Sequence, residues 1–312
     1  MLPTEVQVTL IVGYAADDYV VLASERMITW RRGKRDDHNA ITTKTTCVAG
    51  QSLMGFSGVA DLAGNTETFL AHVAGEVLST PSLRGQLTRY LAQRIGEELD
   101  KKRTADPRIR PADLWFALLV VGYGPGADGS PTRYLRVISN AIDGKYNQLR
   151  VTDHRGFYAH HPSVDVAGDG FRLWAIGDCP EKSKLEETAE ALVEFRRRHP
   201  GHGKEIARQL ARVIVARAKD SPGVGSTVQA AILPRAAFGQ QSITMYAVIP
   251  PEPIEEILSF EFNSAVNDEG HVLVNGINLV VEGMEMIGGG AVWGSIDPIG
   301  PRPPFAPPKR GP

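Results

Sequence analysis

Thr9, Glu25, Lys44 and Gly58 are residue types that together can turn a hydroxyl against a carbonyl carbon. A threonine hydroxyl is a weak nucleophile unless a base lies beside it, and an α-amine freed at the chain's own N-terminus can be that base. Such an amine has an unperturbed pKa of about 8, near enough to neutrality to accept the proton. A lysine held positive nearby favours the alkoxide, and a carboxylate holds the lysine in place. Backbone N–H groups at a glycine turn can receive the oxyanion. Singly, each residue has a plainer role. Thr9 suits a strand, Glu25 and Lys44 suit a buried ion pair, and Gly58 suits a turn. Only in combination do they point to chemistry.

The elements around them must bring the four together. Thr9, Ile11 and Gly13 alternate with Leu10, Val12 and Tyr14, and an Asp17-Asp18 break precedes a second apolar run at Val20 to Ala23. Alternation about an Asp-rich break predicts a β-hairpin. Ser24, Glu25 and Arg26 follow the second run directly, so a carboxylate and a guanidinium end a buried strand. They need partners, either in a structural salt bridge or in a site. Residues 30–40, WRRGKRDDHNA, are charged and without period, and composition predicts a solvated loop. Thr-rich residues 41–58 predict a second hairpin turning near Gly50, with Cys47 as a core residue.

Two helices are expected next. One opens at Asp61 with Leu62, Phe69, Val73 and Val77 on its apolar face; the other runs from an N-cap at Ser82 to Arg103, with Leu87, Tyr90, Leu91, Ile95 and Leu99. Residues 114–123 form a continuous apolar run, read as a strand buried on both faces, though on periodicity alone a short buried helix fits nearly as well. Strands at 132–140 and 148–153, joined by a turn at Asp143-Gly144, follow. A second helical pair spans roughly 181–219, with stripes Leu185, Ala189, Leu192, Phe195 and Ile206, Leu210, Val213, Val215. Strands at 227–234 and 242–250 close the body. The order is strands, two helices, strands, two helices, strands. Adjacent hairpins favour antiparallel sheets, so the expected class is α+β, a four-layer αββα sandwich with a C-terminal extension.

The chain divides into a leader at 1–8, a main domain at 9–250 and an extension at 251–312. The extension is expected to hold a hairpin about residues 267–270 and a proline-rich disordered tail. Its 312 residues are 42% apolar, and the net charge of −2 argues against nucleic acid or an acidic membrane as partner. No apolar stretch reaches the length of a membrane span. Two distant cysteines, Cys47 and Cys179, fit a reducing cytoplasm, with a single disulfide between them as the alternative. Adjacent His160 and His161 would point to opposite faces of a strand, which disfavours a shared metal. No metal or cofactor is expected.

TLIVGYAADDYVVLASERMIT, residues 9 to 29, resembles the opening of mature β-type proteasome subunits, within the N-terminal nucleophile hydrolases. In that family a threonine begins a strand, Val-Gly follows, and a later strand ends in Ala-x-(Asp/Glu) with a threonine beyond. Thr9, Val12-Gly13, Ala23-Ser24-Glu25 and Thr29 match those positions, and Lys44 and Ser57-Gly58 match the family's lysine and glycine turn. The resemblance implies Thr9 as nucleophile, Glu25 as acidic partner, Lys44 as the tuning lysine and Gly58 as oxyanion donor. VAGDGF, 166 to 171, aligns with a glycine-bracketed turn and places Asp169 where the family has a serine. AKDSPGVGSTVQAAIL, 218 to 233, aligns Asp220 with a supporting aspartate across a one-residue insertion. The resemblance covers roughly residues 9 to 250.

It also implies a proteasome-like threonine-type endopeptidase or amidohydrolase with a peptide or amide substrate. Removal of residues 1–8 and a homo-oligomer of rings or stacked rings follow from the same likeness; the sequence names no ATPase partner. The family usually has glycine before the self-cleaved bond, where this chain has Val8, and Met27 stands where arginine is frequent. Val8 and Asp169 support an alternative: an inactive proteasome-like scaffold or assembly protein that retains its leader.

Overall fold

The alternation in the first strands places each residue in one of two layers. In the computed structural model, which describes residues 9–32, 35–41, 44–48, 51–80, 83, 86–141, 151, 153–160, 170–198, 203–235, 245–249, 264–266, 272–274 and 277–280, β1 (Leu10–Ala15) and β2 (Tyr19–Glu25) are fully buried antiparallel neighbours. Leu10, Val12 and Tyr14 of β1 join one core, and Ile11 and Ala15 join another on the opposite face. Two cores on one strand require two covering layers.

The first sheet has the order β10 (Arg172–Gly177), β1, β2, β11 (Val228–Pro234), β12 (Met245–Ile249), all antiparallel. Helices α3 (Lys182–Arg198) and α4 (Gly203–Asp220) cover its outer face through Leu185, Ala189, Leu192, Ile206, Leu210 and Ile214. The second sheet is built on β5 (Thr45–Val48), β6 (Ser52–Gly58), β7 (Phe116–Pro125), β8 (Pro131–Ser139) and β9 (Tyr158–His160). Its outer face packs on α1 (Thr66–Ser79) and α2 (Leu87–Ala105) through Phe69, Val73, Leu91, Ile95 and Leu99. Between the sheets lie Ile11, Val20, Leu22, Leu53, Leu119 and Val121. The architecture is the expected α+β four-layer αββα sandwich.

Three short strands extend the second sheet at the β5 edge: β13 (Ser264–Val266) and β14 (Val272–Val274) are antiparallel across residues 267–271, and β15 (Ile277–Val280) runs parallel to β5. The leader, the 143–144 turn, His161, Asp169 and the proline-rich tail lie outside the described residues.

Several local expectations need correction. The charged segment read as a solvated loop is an antiparallel two-stranded ribbon, β3 (Met27–Arg32) and β4 (Arg35–Ile41). Charge predicts solvent exposure, but a ladder needs only backbone partners, and a two-stranded ribbon supplies them. Helix α1 starts at Thr66, capped by Asn65 Oδ1 accepting from the Thr68 N–H at 3.0 Å, after a short 3₁₀ turn at Leu62–Gly64. Helix α2 begins at Leu87 after Gln86, later than the Ser82 cap implied. The inner stripe of α4 passes through buried Ile214, while Val213 is half-buried, as the 3.6 period drifts. Residues 151 and 153 are not in a strand; β9 pairs with β8 instead. Strand β10, unanticipated, is the partner that completes the β1 side of the first sheet.

The sheets approach closely at Gly13, where a Cβ would meet Val121 Cγ1 at 2.8 Å and Leu119 Cδ2 at 2.9 Å. Gly13→Val should therefore overpack the inter-sheet core and cost about 1–3 kcal/mol. The readout is a lower urea midpoint at unchanged denaturant slope.

Candidate active site

Thr9 shares the alternation of Ile11 and Gly13, so its side chain enters the space between the sheets where β1 starts. It is 7% exposed. Two bonds fix its carbonyl: the Asp178 N–H donates to it at 2.8 Å, and Ser57 Oγ–H at 3.5 Å. Lys44 comes from the facing sheet, immediately before β5, where its own carbonyl accepts from the Phe56 N–H at 3.2 Å. Its Nζ donates to Thr9 Oγ1 at 2.8 Å and is ion-paired with Glu25 Oε1. Glu25, the last residue of β2, is wholly buried, and its second oxygen accepts from the Met27 N–H at 2.6 Å and the Gly225 N–H at 3.3 Å. Thr9, Lys44 and Glu25 are thus one hydrogen-bonded chain spanning both sheets. Arg26, beside them, has Glu67 as its electrostatic partner.

Burial works on the two ions in opposite senses. It raises the Glu25 carboxyl above its ordinary range and lowers the Lys44 ammonium, and the attraction between them opposes both shifts. Each is driven towards neutrality by burial, and the partner's charge works against that drive. An ammonium so placed can stabilise negative charge growing on Thr9 Oγ1, and it stands closer to releasing a proton than a lysine in water.

Gly58 closes β6 with a φ of +111°, and a Cβ there would fall 2.3 Å from the Trp115 carbonyl oxygen. Only glycine fits that turn without strain. Its neighbour Ser57 is the residue that reaches the Thr9 carbonyl, so the Ser57-Gly58 turn adjoins Thr9. Asp220 is the exposed last residue of α4, with Arg217 as electrostatic neighbour, and among the described residues it makes no hydrogen bond to Thr9, Glu25 or Lys44. Asp169 lies outside the described residues.

Sequence reasoning missed three contributors because they act through the main chain. Gly177 has a φ of +93°, and a Cβ on it would sit 1.6 Å from the Thr9 carbonyl oxygen. Asp178 supplies the N–H on that oxygen. At Gly225 a Cβ would approach Glu25 Oε2 to 3.0 Å and Met27 Cβ to 2.7 Å. The glycines themselves were the available signal. Burial pushes the Cys179 thiol up to about 12, so it stays protonated at neutral pH and makes a poor nucleophile. Cys47 lies on β5. Among the described residues, no group of three or more His, Cys, Asp or Glu could hold a metal ion, and no helix is long and apolar enough to cross a membrane.

Fold and site together define a four-layer αββα protein with a threonine hydroxyl held against a buried lysine–carboxylate pair. No family model matches the chain, and no curated protein does. Among solved structures, Anbu (ancestral beta-subunit) from Yersinia bercovieri is 12% identical, covering 78% of this chain and 88% of its own, with a TM-score of 0.47. An Anbu (Gly-1) mutant from Hyphomicrobium sp. strain MC1 is 14% identical over 78% and 88%, with a TM-score of 0.42. Eukaryotic HslV from Trypanosoma brucei is 20% identical over 72% of this chain and 99% of its own, with a TM-score of 0.39.

Removing either partner leaves a buried charge alone. Glu25→Gln and Lys44→Met should each destabilise the fold by about 3–5 kcal/mol. The double variant should lose less than the sum of the two, because neither charge is then orphaned. Chemical denaturation of the four proteins measures the cycle.

Proposed function

We propose that the chain is a threonine-type hydrolase of the proteasome-like, N-terminal nucleophile kind, cleaving peptide or amide bonds with Thr9 after removal of residues 1–8. One observation carries the proposal: Thr9 Oγ1 accepts from Lys44 Nζ at 2.8 Å while that lysine is paired with buried Glu25.

Cutting the Val8–Thr9 bond would free the Thr9 amine. That amine takes the hydroxyl proton as Oγ1 attacks the substrate carbonyl, and the Lys44 ammonium stabilises charge on Oγ1. The Gly58 N–H is assigned to the tetrahedral oxyanion. Collapse breaks the scissile C–N bond, the leaving amine takes the proton, and an ester on Thr9 remains. Water then hydrolyses the ester, releasing the acid and restoring the hydroxyl. Glu25 holds Lys44 ionised and in place. Asp169 and Asp220 are carried as supporting residues by the sequence likeness alone. The same likeness motivates a homo-oligomeric ring that encloses the sites.

The second reading, a scaffold that keeps its leader, is favoured by Val8. A β-branched residue crowds the carbonyl that Thr9 would have to attack to cleave its own chain.

Intact mass of the purified protein should show loss of residues 1–8, and native mass a multiple of that chain. Amide hydrolysis should rise with pH and level off above about 8, as the amine loses its proton. Thr9→Ala should remove the activity, a loss of at least about 10³-fold. An intact leader, together with an inert chain that begins at Thr9, would favour the scaffold.

A further inference from the structure

The carbonyl of Thr9 receives its shorter hydrogen bond from the residue that follows β10, the strand flanking β1 in the first sheet. Strand β10 ends at Gly177, the Asp178 N–H donates to that carbonyl at 2.8 Å, and α3 starts only at Lys182. Gly177, at a φ of +93°, is the most permissive residue type and does little by itself to hold this joint. The Asp178 side chain is fixed from elsewhere: its Oδ1 accepts from Arg217 Nη2 of α4 at 2.5 Å, with both side chains partly shielded from water. Arg217 therefore clamps the residue whose main chain seats the nucleophile. Arg217 also lines a groove of about 560 Å³ between α3 and α4, on the helical face rather than over Thr9.

We infer that Arg217, acting through Asp178, is a positioning residue for Thr9: the ion pair orders the β10–α3 joint so that its N–H fixes the Thr9 carbonyl and thereby the direction of Oγ1. The catalytic half of this inference rests on Thr9 being the nucleophile; the mechanical half does not. An attacking oxygen must be oriented as well as activated, and small misplacements carry large kinetic penalties. The clamp touches neither substrate nor the reacting atoms, so its loss should lower the rate of attack and leave binding of a small reagent unchanged.

The mechanical half is read by hydrogen exchange on the full chain. In Arg217→Met the Asp178 amide should exchange about tenfold faster or more, while amides of β7 in the other sheet stay unchanged. The catalytic half is read on a chain beginning at Thr9, with a small β-lactone as acylating probe. Its maximal acylation rate should fall about 10- to 100-fold, with the half-saturating lactone concentration altered by less than about twofold. Arg217→Lys, which keeps the charge but loses the planar fork, should fall between Arg217→Met and the parent. The exchanged pair Asp178→Arg/Arg217→Asp should recover to within about threefold of the parent, which a role confined to general stability would not produce. Unchanged exchange at Asp178 in both single variants overturns the clamp. Faster exchange with undiminished acylation overturns its positioning role. A parent chain that takes no lactone overturns the Thr9 reading and the catalytic half with it, while exchange still decides the clamp.

Discussion

A buried ammonium–carboxylate pair constrains the whole sandwich. Taking Lys44 and Glu25 out of water costs several kcal/mol per ion, and mutual attraction offsets this only if their remaining hydrogen-bond capacity is used. It is used here by Thr9 Oγ1 on the lysine and by the Met27 and Gly225 N–H groups on the carboxylate. The two ions come from different sheets. Each sheet must therefore be registered against the other to within a hydrogen bond, and the glycines at 13 and 55 permit that approach by leaving room for side chains of the facing strand.

The chain between the two ions has its own consequence. β3 starts at Met27, whose N–H binds Glu25, and β4 ends at Ile41, shortly before Lys44. Both ends of the ribbon are thus anchored beside the pair, and its strands are closed on each other by their own ladder. The site is held on three sides by regular structure: the start of β1, the end of β2, and the β5–β6 hairpin. A constellation built on strand ends is more exactly placed than one on loops.

Much of this was legible in the sequence for one reason: the hydroxyl, the carboxylate and the lysine sit at the ends of short strands, two of them built on continuous apolar runs. Period two tells which face Thr9 shares with Ile11 and Gly13, and a charge following Val20 to Ala23 without a break demands a partner. The ribbon was misread because residues 30–40 carry charge, which reports on solvent contact and not on whether the backbone is paired. Strand β10 was hidden because RLWAIG has a mixed pattern, and its place is set by a ladder to β1, a long-range pairing that no local window contains. Gly177 and Asp178 escaped for a related reason. Asp178 meets Thr9 through an N–H that every non-proline residue carries, and Gly177 through the side chain it lacks, so neither residue type announces the contact. The start of α2 was misplaced because Ser82 has the right chemistry for a cap, while the structure begins the helix after Gln86, without a side-chain cap.

We propose that Thr9 Oγ1, set against Lys44, is the reactive atom of this chain. The most direct measurement is peptide mapping by mass spectrometry after a chain beginning at Thr9 has been treated with a β-lactone. The account predicts a single acyl adduct on the Thr9 peptide, lost when Lys44 is replaced by Met in protein that remains folded. An adduct elsewhere, or one on Thr9 that forms equally fast without the lysine, would contradict it.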